Sequence, residues 1–202
     1  RGVGLDGSPE MLRRAAERLS RFDDVALAEA DFNQPSWRSA LLAAQFDAVV
    51  CVFGIFFVAD MPAAVRALWE AVRPGGRLAI TTWGPRFFEP ATTAFWNSVR
   101  DVRPDLYKGF NPWDRISDPA QLRALLHEGG VESAEVVAES GRHPIPSPDA
   151  WWSAVLGSGY RGTVDQLSPA MRDSVRDANL RYIRDSHVST VEVNVVYAIA
   201  TK

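Results

Sequence analysis

The residues with the clearest chemical potential stand at the front of the chain. Gly2-Val3-Gly4-Leu5-Asp6-Gly7 spells G-x-G-x-x-G and runs into Ser8-Pro9-Glu10. Two nucleotide-binding arrangements use such residues. In the first, the glycines form a loop that lets the backbone approach a pyrophosphate at a helix N-terminus. Asp31, at about the 20-residue interval such sites use, would then take the ribose hydroxyls. This loop needs a strand before it, and only Arg1 precedes Gly2. In the second, Val3 to Asp6 is itself a strand, Asp6 accepts from two ribose hydroxyls, and Asp31 closes on an adenine. A carboxylate inside a phosphate loop would face like charge, at a cost of roughly several kcal/mol where screening is poor. The physics favours the second arrangement.

Other reactive residue types are sparse. The single cysteine, Cys51, excludes an intrachain disulfide and a cysteine-built metal site. It reads as a small buried residue, with no positive partner or helix start nearby in sequence to activate a thiolate. His127, His143 and His187 lack the spacing of a metal site. His143, just beyond a predicted strand, is the candidate general base should the chemistry need one. No metal is expected.

The elements that must position these groups follow from pattern. Ser8-Pro9-Glu10 combines a cap, a proline suited to the first helical turn and an acid at the positive dipole end. Met11, Leu12, Ala15, Ala16 and Leu19 continue it at helical spacing. Val25 to Ala30 reads as a short strand, and Trp37 to Ala44 as a short helix. Phe46 to Phe53 is a near-continuous apolar run, as in a strand buried on both faces. Met61 to Val72 is a helix ended by Arg73-Pro74-Gly75-Gly76, with a buried strand from Arg77 to Trp83. This alternation predicts an α/β doubly wound sheet. Residues 84–118 read as irregular and aromatic. A helix follows from Asp118-Pro119 to about His127, then a strand from Val131 to Glu139. Residues 141–189 form a second aromatic insertion with one helix, Pro169 to Arg184, and Thr190 to Thr201 reads as one long terminal strand.

At 202 residues, 47% hydrophobic and 23% charged, the chain suits one soluble domain with an elaborated cap. The net charge of −3 argues against a nucleic-acid or anionic-membrane surface. No apolar run approaches the roughly 18 residues of a membrane span. These features fit a reducing cytoplasm.

Several stretches resemble one family. LDGSPEMLRRA is similar to the second strand and following helix of class I S-adenosylmethionine-dependent methyltransferases, and AEADFNQP resembles their adenine-binding segment. FDAVVCVFGIFFVADM and LWEAVRPGGRLAITTW resemble their fourth strand, next helix and fifth strand, and VYAIATK their antiparallel last strand. The order and spacing agree across residues 3–83, and the match is to the small-molecule "type 11" branch, that of the quinone methyltransferases. The resemblance implies a Rossmann-like sheet, with Thr190 to Thr201 antiparallel between the strands at 77–83 and 131–139. It implies S-adenosyl-L-methionine as cofactor, with Asp6 on the ribose and Gly7, Ser8 and Met11 along the adenosine edge. Asp31 would meet the adenine amino group, Phe32 the base, and the backbone of Cys51, Val52 and Phe53 the amino-acid end. The family's first strand and acidic glycine-rich loop would precede Arg1. The resemblance therefore implies a domain incomplete at its N-terminus, with open edges on two strands and weak cofactor binding.

The insertions at about 84–118 and 141–189 would cap the C-terminal edge of the sheet, where α/β ligands bind. Phe57, Trp83, Trp113 and Trp151 are candidates for an apolar or aromatic acceptor pocket, with local core as the plainer reading. The implied activity is methyl transfer to a small molecule at O, N or C. The alternatives are a nicotinamide-dependent oxidoreductase using Gly2, Gly4 and Gly7 as its loop, and a non-catalytic fragment.

Overall fold

A computed structural model describes residues 1–34, 36–38 and 45–202. Part of the helix predicted over Trp37 to Ala44 lies outside the described residues. The strands are β1 (Gly2–Asp6), β2 (Val25–Glu29), β3 (Phe46–Val52), β4 (Val72–Trp83), β5 (Glu135–Glu139), β6 (Arg142–Pro144), β7 (Thr190–Glu192) and β8 (Val195–Thr201). The main helices are α1 (Pro9–Leu19), α2 (Met61–Ala71), α3 (Ala91–Val102), α4 (Pro119–Glu128), α5 (Pro148–Leu156), α6 (Arg161–Val164) and α7 (Pro169–Asp185). The chain forms two compact units, one of residues 1–81, 123–135 and 198–202, the other of 82–122 and 136–197.

In the first unit, β1 and β2 pair in parallel, with Gly2 opposite Val25 and Asp6 opposite Glu29. This overturns the phosphate-loop reading, because Gly2 and Gly4 are strand residues. Gly4 packs against β2: a Cβ there would lie 2.7 Å from Leu27 Cδ2, so a larger residue would make the leucine side chain shift. Helix α1 follows, with Ser8 Oγ accepting from the Met11 N–H at 3.4 Å. Strand β3 pairs in parallel with β4, whose register jumps so that Phe46 faces Val72 and Ala48 faces Arg77. The excursion is Arg73-Pro74-Gly75-Gly76, as the sequence suggested, with Gly75 at φ +77°. Lys202 closes it: the Gly75 N–H donates to the Lys202 carbonyl at 2.7 Å, and the Lys202 N–H to the Gly76 carbonyl at 3.0 Å. Its ammonium also donates to the carbonyls of Trp69 and Glu70 at the end of α2. The buried face of α2 (Met61, Ala64, Val65, Leu68) and the β4 residues Leu78 and Ile80 supply this unit's core.

The four-stranded sheet has the order β3-β4-β8-β5, so the last strand lies between β4 and β5 as expected. The single strand expected over Thr190 to Thr201 is instead two. Strand β7 pairs antiparallel with β6, Val191 opposite His143, while β8 joins the larger sheet. The break at Val193-Asn194 is fixed locally. Val193 donates to the Gly141 carbonyl, and the Asn194 carbonyl accepts from Gly84 at 2.7 Å. The Asn194 amide meanwhile donates to the Pro85 carbonyl and to Glu192.

The second unit corrects the reading of two irregular insertions. Residues 84–118 contain the 12-residue α3, and 141–189 contain α5 and α6 as well as α7. Ser147 and Ser168 cap α5 and α7 in the way Ser8 caps α1. Their core is aromatic. Phe95 stacks on Tyr160 with ring centroids 4.9 Å apart, and Trp151 is fully buried. Asn179, also buried, accepts from Trp151 Nε1 at 2.9 Å and donates to Ser98 Oγ and the Val175 carbonyl. Three helices thereby share one satisfied polar centre.

The run in β3 was expected to be buried on both faces, yet only Val49 is buried, while Val50 and Val52 are each 60% exposed. Among the described residues β3 pairs only with β4, and β1 only with β2. One edge of each strand is thus unpaired, and unpaired apolar edges template further pairing. The chain is expected to self-associate as its concentration rises, and Val50→Lys to reduce this, measured by light scattering on a sizing column. Equal behaviour of the two proteins would refute the edge argument.

Tyr160 yields a second expectation. Burial pushes its phenol up from the ordinary 10.0 to about 12, with Glu89 and Asp114 adding to the rise against the Thr92 hydroxyl. Its contribution to stability is complete below pH 10, where the unfolded phenol is still protonated. It is lost as pH rises through the folded value near 12. The loss is on the order of 2–3 kcal/mol. Urea midpoints should fall between pH 9.5 and 12 more steeply for this protein than for Tyr160→Phe, whose curve removes this term only.

Candidate functional site

A cavity of about 320 Å³ lies in the first unit, lined by Val3 to Asp6 of β1 and by Ala48 to Val52 of β3. Phe32 and Trp37 form one wall, while Gly54, Ile55, Val58, Ala64 and Leu68 complete the lining. The volume sits at the low end of small-molecule sites. It is mostly apolar, and among the described residues Asp6 is the one acidic or basic side chain on it.

Asp6 ends β1 half-buried. Its Oδ1 accepts from the Ser8 N–H at 2.8 Å, and its carbonyl accepts from Ala30 at 3.0 Å. One carboxylate oxygen is thus held by the helix start, and the group is aimed by the same turn that caps α1. Phe32 and Trp37 meet edge to face, centroids 5.5 Å apart, with Trp37 Nε1 donating to the Phe32 carbonyl at 2.9 Å. Asp31 lies two residues past the end of β2 and outside the lining. Its Oδ1 accepts from the Asn33 N–H. Asn33 then spans to the chain beyond β3, donating to the Phe57 carbonyl and accepting from the Ala59 N–H at 2.9 Å.

At the end of β3 the backbone turns sharply. Phe53 has φ +51°, and its N–H donates to the Thr81 carbonyl of β4 at 3.0 Å. A non-glycine residue held there costs about 1–3 kcal/mol and is characteristic of sites where backbone groups are aimed at a ligand. Burial pushes the Cys51 thiol up from its ordinary 9.0, partly offset by hydrogen bonds from the Gly54 and Ile55 backbone.

Of the sequence candidates, Asp6, Phe32, Cys51 and Val52 share this cavity, with Phe53 one residue beyond. Gly7, Ser8 and Met11 do not line it. Ser8 acts as a cap, and Met11 is 55% exposed. Phe57 is exposed on a turn against Phe56. Trp83 and Trp113 both contact Phe87 in the second unit, and Phe87 stacks on Phe88, which meets Trp151 edge to face. These three tryptophans belong to an aromatic network, and Trp151 has its N–H satisfied internally. His143 is exposed on β6. Among the described residues no group of three or more His, Cys, Asp or Glu could hold a metal, and no helix is long and apolar enough to cross a membrane. Trp37 and Asn33 went unread as site residues in the sequence. The available signal was their placement within six residues of Asp31.

A methyltransferase-domain profile matches residues 1–78, the segment that builds the cavity. The match supports reading the chain as a class I methyltransferase. The family's methyl donor is S-adenosylmethionine. A ubiquinone biosynthesis O-methyltransferase of Methylobacterium is 27% identical over 173 residues, covering 84% of this chain and 65% of that one. An uncharacterized protein of Mycobacterium tuberculosis is 26% identical over 142 residues, covering 69% and 50%. The chain thus spans about half to two thirds of the length of these relatives. Among solved structures, a methyltransferase of Bacillus halodurans matches with TM-score 0.58 at 12% identity, covering 100% of this chain and 83% of that one. YcgJ of Bacillus subtilis matches with TM-score 0.55 at 13% identity, covering 99% and 81%. These likenesses are of fold.

The thiol yields a direct check on the β3 turn. Cys51 is expected to react with a disulfide reagent at pH 8 about tenfold or more slowly in the folded protein than in urea. Equal rates would show that the turn leaves the thiol open.

Proposed function

We propose that this chain is a methyltransferase that transfers the methyl group of S-adenosylmethionine to a small apolar or aromatic acceptor. The observation that carries the cofactor part is Asp6, among the described residues the lone carboxylate on an apolar, aromatic-walled cavity at the end of a parallel strand. An ionised carboxylate accepts only, and two adjacent ribose hydroxyls are donors it can satisfy. Phe32 offers a ring for the base, Asp31 lies at the adjoining strand end, and the left-handed turn at Phe53 aims backbone groups from the β3 side. The residues present suit the adenosine half of the cofactor. Among the described residues no cationic side chain lines the cavity for a carboxylate end.

When bound, the cofactor supplies a methyl group already activated by a sulfonium charge. The chain's part is then to bind and align. Asp6 fixes the ribose, with Ser8 holding the carboxylate in orientation, while Phe32, Trp37 and Val52 exclude water from the base. In-line displacement needs no nucleophilic residue of its own. The choice of an apolar or aromatic acceptor rests on resemblance to the small-molecule branch and on relatives that act in ubiquinone biosynthesis.

Calorimetric titration with S-adenosylhomocysteine tests the reading. Asp6→Asn should weaken binding about 10- to 100-fold, the loss of one or two hydrogen bonds to a charged acceptor. Retention of affinity in the variant would remove Asp6 from the site. Absence of binding to either protein would favour a non-catalytic fragment.

A further inference from the structure

The second unit contains a cavity of about 190 Å³ that the proposed activity does not use. It is an open hollow beside helix α3, and its lining includes Glu89, Thr92, Trp96, Asn97, Tyr107 and Lys108. Among the described residues its two charged groups are of opposite sign. Glu89 hydrogen-bonds to the Thr93 hydroxyl at 2.7 Å and makes no ion pair among the described residues, and neither does Lys108. Both charges lie on one small cavity without pairing to each other, so its wall carries a charge of each sign. Trp96, only 6% exposed, and Tyr107 share the lining, with rings at 83° and centroids 6.3 Å apart. Aromatic faces beside a carboxylate favour an ammonium group. Tyr107 already attracts one cation, the Arg100 guanidinium 5.4 Å from its centroid. The Asn97 amide makes no side-chain hydrogen bond among the described residues, so a donor and an acceptor are both free at the wall.

We propose that this cavity binds a small zwitterion of amino-acid size, its ammonium on Glu89 and the aromatic walls and its carboxylate on Lys108. A simple amine would satisfy one charge and a simple carboxylate the other, whereas an amino acid satisfies both. The volume limits the ligand to a short side chain. The proposal is independent of methyl transfer and of the cavity in the first unit.

The test uses the 202-residue protein without methyl donor. Saturation-transfer NMR and calorimetry would be run with L-alanine, L-leucine, n-butylamine and butyrate as probes, on the parent, Glu89→Gln and Lys108→Met. Lys108 is exposed and Glu89 half-buried beside the first turn of α3, and circular dichroism verifies folding. Saturable binding of an amino acid is expected, tighter than either single-charge probe. Each substitution should weaken it about tenfold or more. Glu89→Gln should abolish the amine's advantage and Lys108→Met the carboxylate's. No saturable binding of either amino acid up to about 10 mM would overturn the proposal. So would binding that both folded variants retain, or a preference for butyrate over the amino acids.

Discussion

The site depends on one backbone hydrogen bond, from the Phe53 N–H to the Thr81 carbonyl. It ties the end of β3 to β4 just where the chain must leave the sheet, and it holds Phe53 in a conformation that a side chain disfavours. That sharp exit turns Gly54 and Ile55 back over Cys51 and lets Asn33 reach the segment at Phe57 to Ala59. A straighter exit would carry residues 54–58 away from β1, and the cavity would lose the wall opposite Asp6. The strain is offset by the parallel pairing of β3 with β4 on one side and by the Asn33 bridge on the other.

Much of the first unit was legible because its signals are local. Ser8-Pro9-Glu10, the apolar run of β3 and Arg73-Pro74-Gly75-Gly76 each name their element through chemistry confined to a few residues. The position of Asp6 at a strand end followed from what a carboxylate can and cannot sit beside. The second unit was harder. Helix α3 carries two threonines and two large aromatics, which read as irregular, although Phe95, Val99 and Val102 hold helical spacing. The start of α5, Ser147-Pro148-Asp149, repeats the α1 signature among tryptophans that drew attention to a pocket instead. Two features could not have been read at all. The exposure of Val50 and Val52 depends on which strands pair, and the division of the last strand depends on Asn194 meeting Pro85 and Gly141, more than fifty residues away.

The two units solve the burial of aromatics differently. The first keeps Phe32 and Trp37 at the rim of a cavity, one ring half-buried, where a flat base can lie against them. The second encloses Phe95, Trp151 and Tyr160 with α3, α5 and α7 and satisfies their polar atoms from within, through Asn179 and Thr92. A tryptophan with its N–H already engaged and no exposed face has no surface left for a ligand. Sequence composition treats both kinds alike: both Trp37 and Trp151 have their indole N–H engaged, and what separates them is that Trp37 lines a cavity while Trp151 is enclosed by helices.

Lys202 has a bearing on how the protein is made. The first unit takes its pieces from residues 1–81, 123–135 and 198–202, and its β4 excursion is closed by the last of these. On a ribosome the first of these segments emerges well before the segment that closes it. Through most of translation β4 lacks its β8 neighbour, and the carbonyls at the end of α2 lack the lysine that caps them. The second unit draws on residues 82–122 and 136–197. The first unit is therefore closed by contacts far apart in sequence, and closure of that kind slows folding relative to a unit built from local contacts.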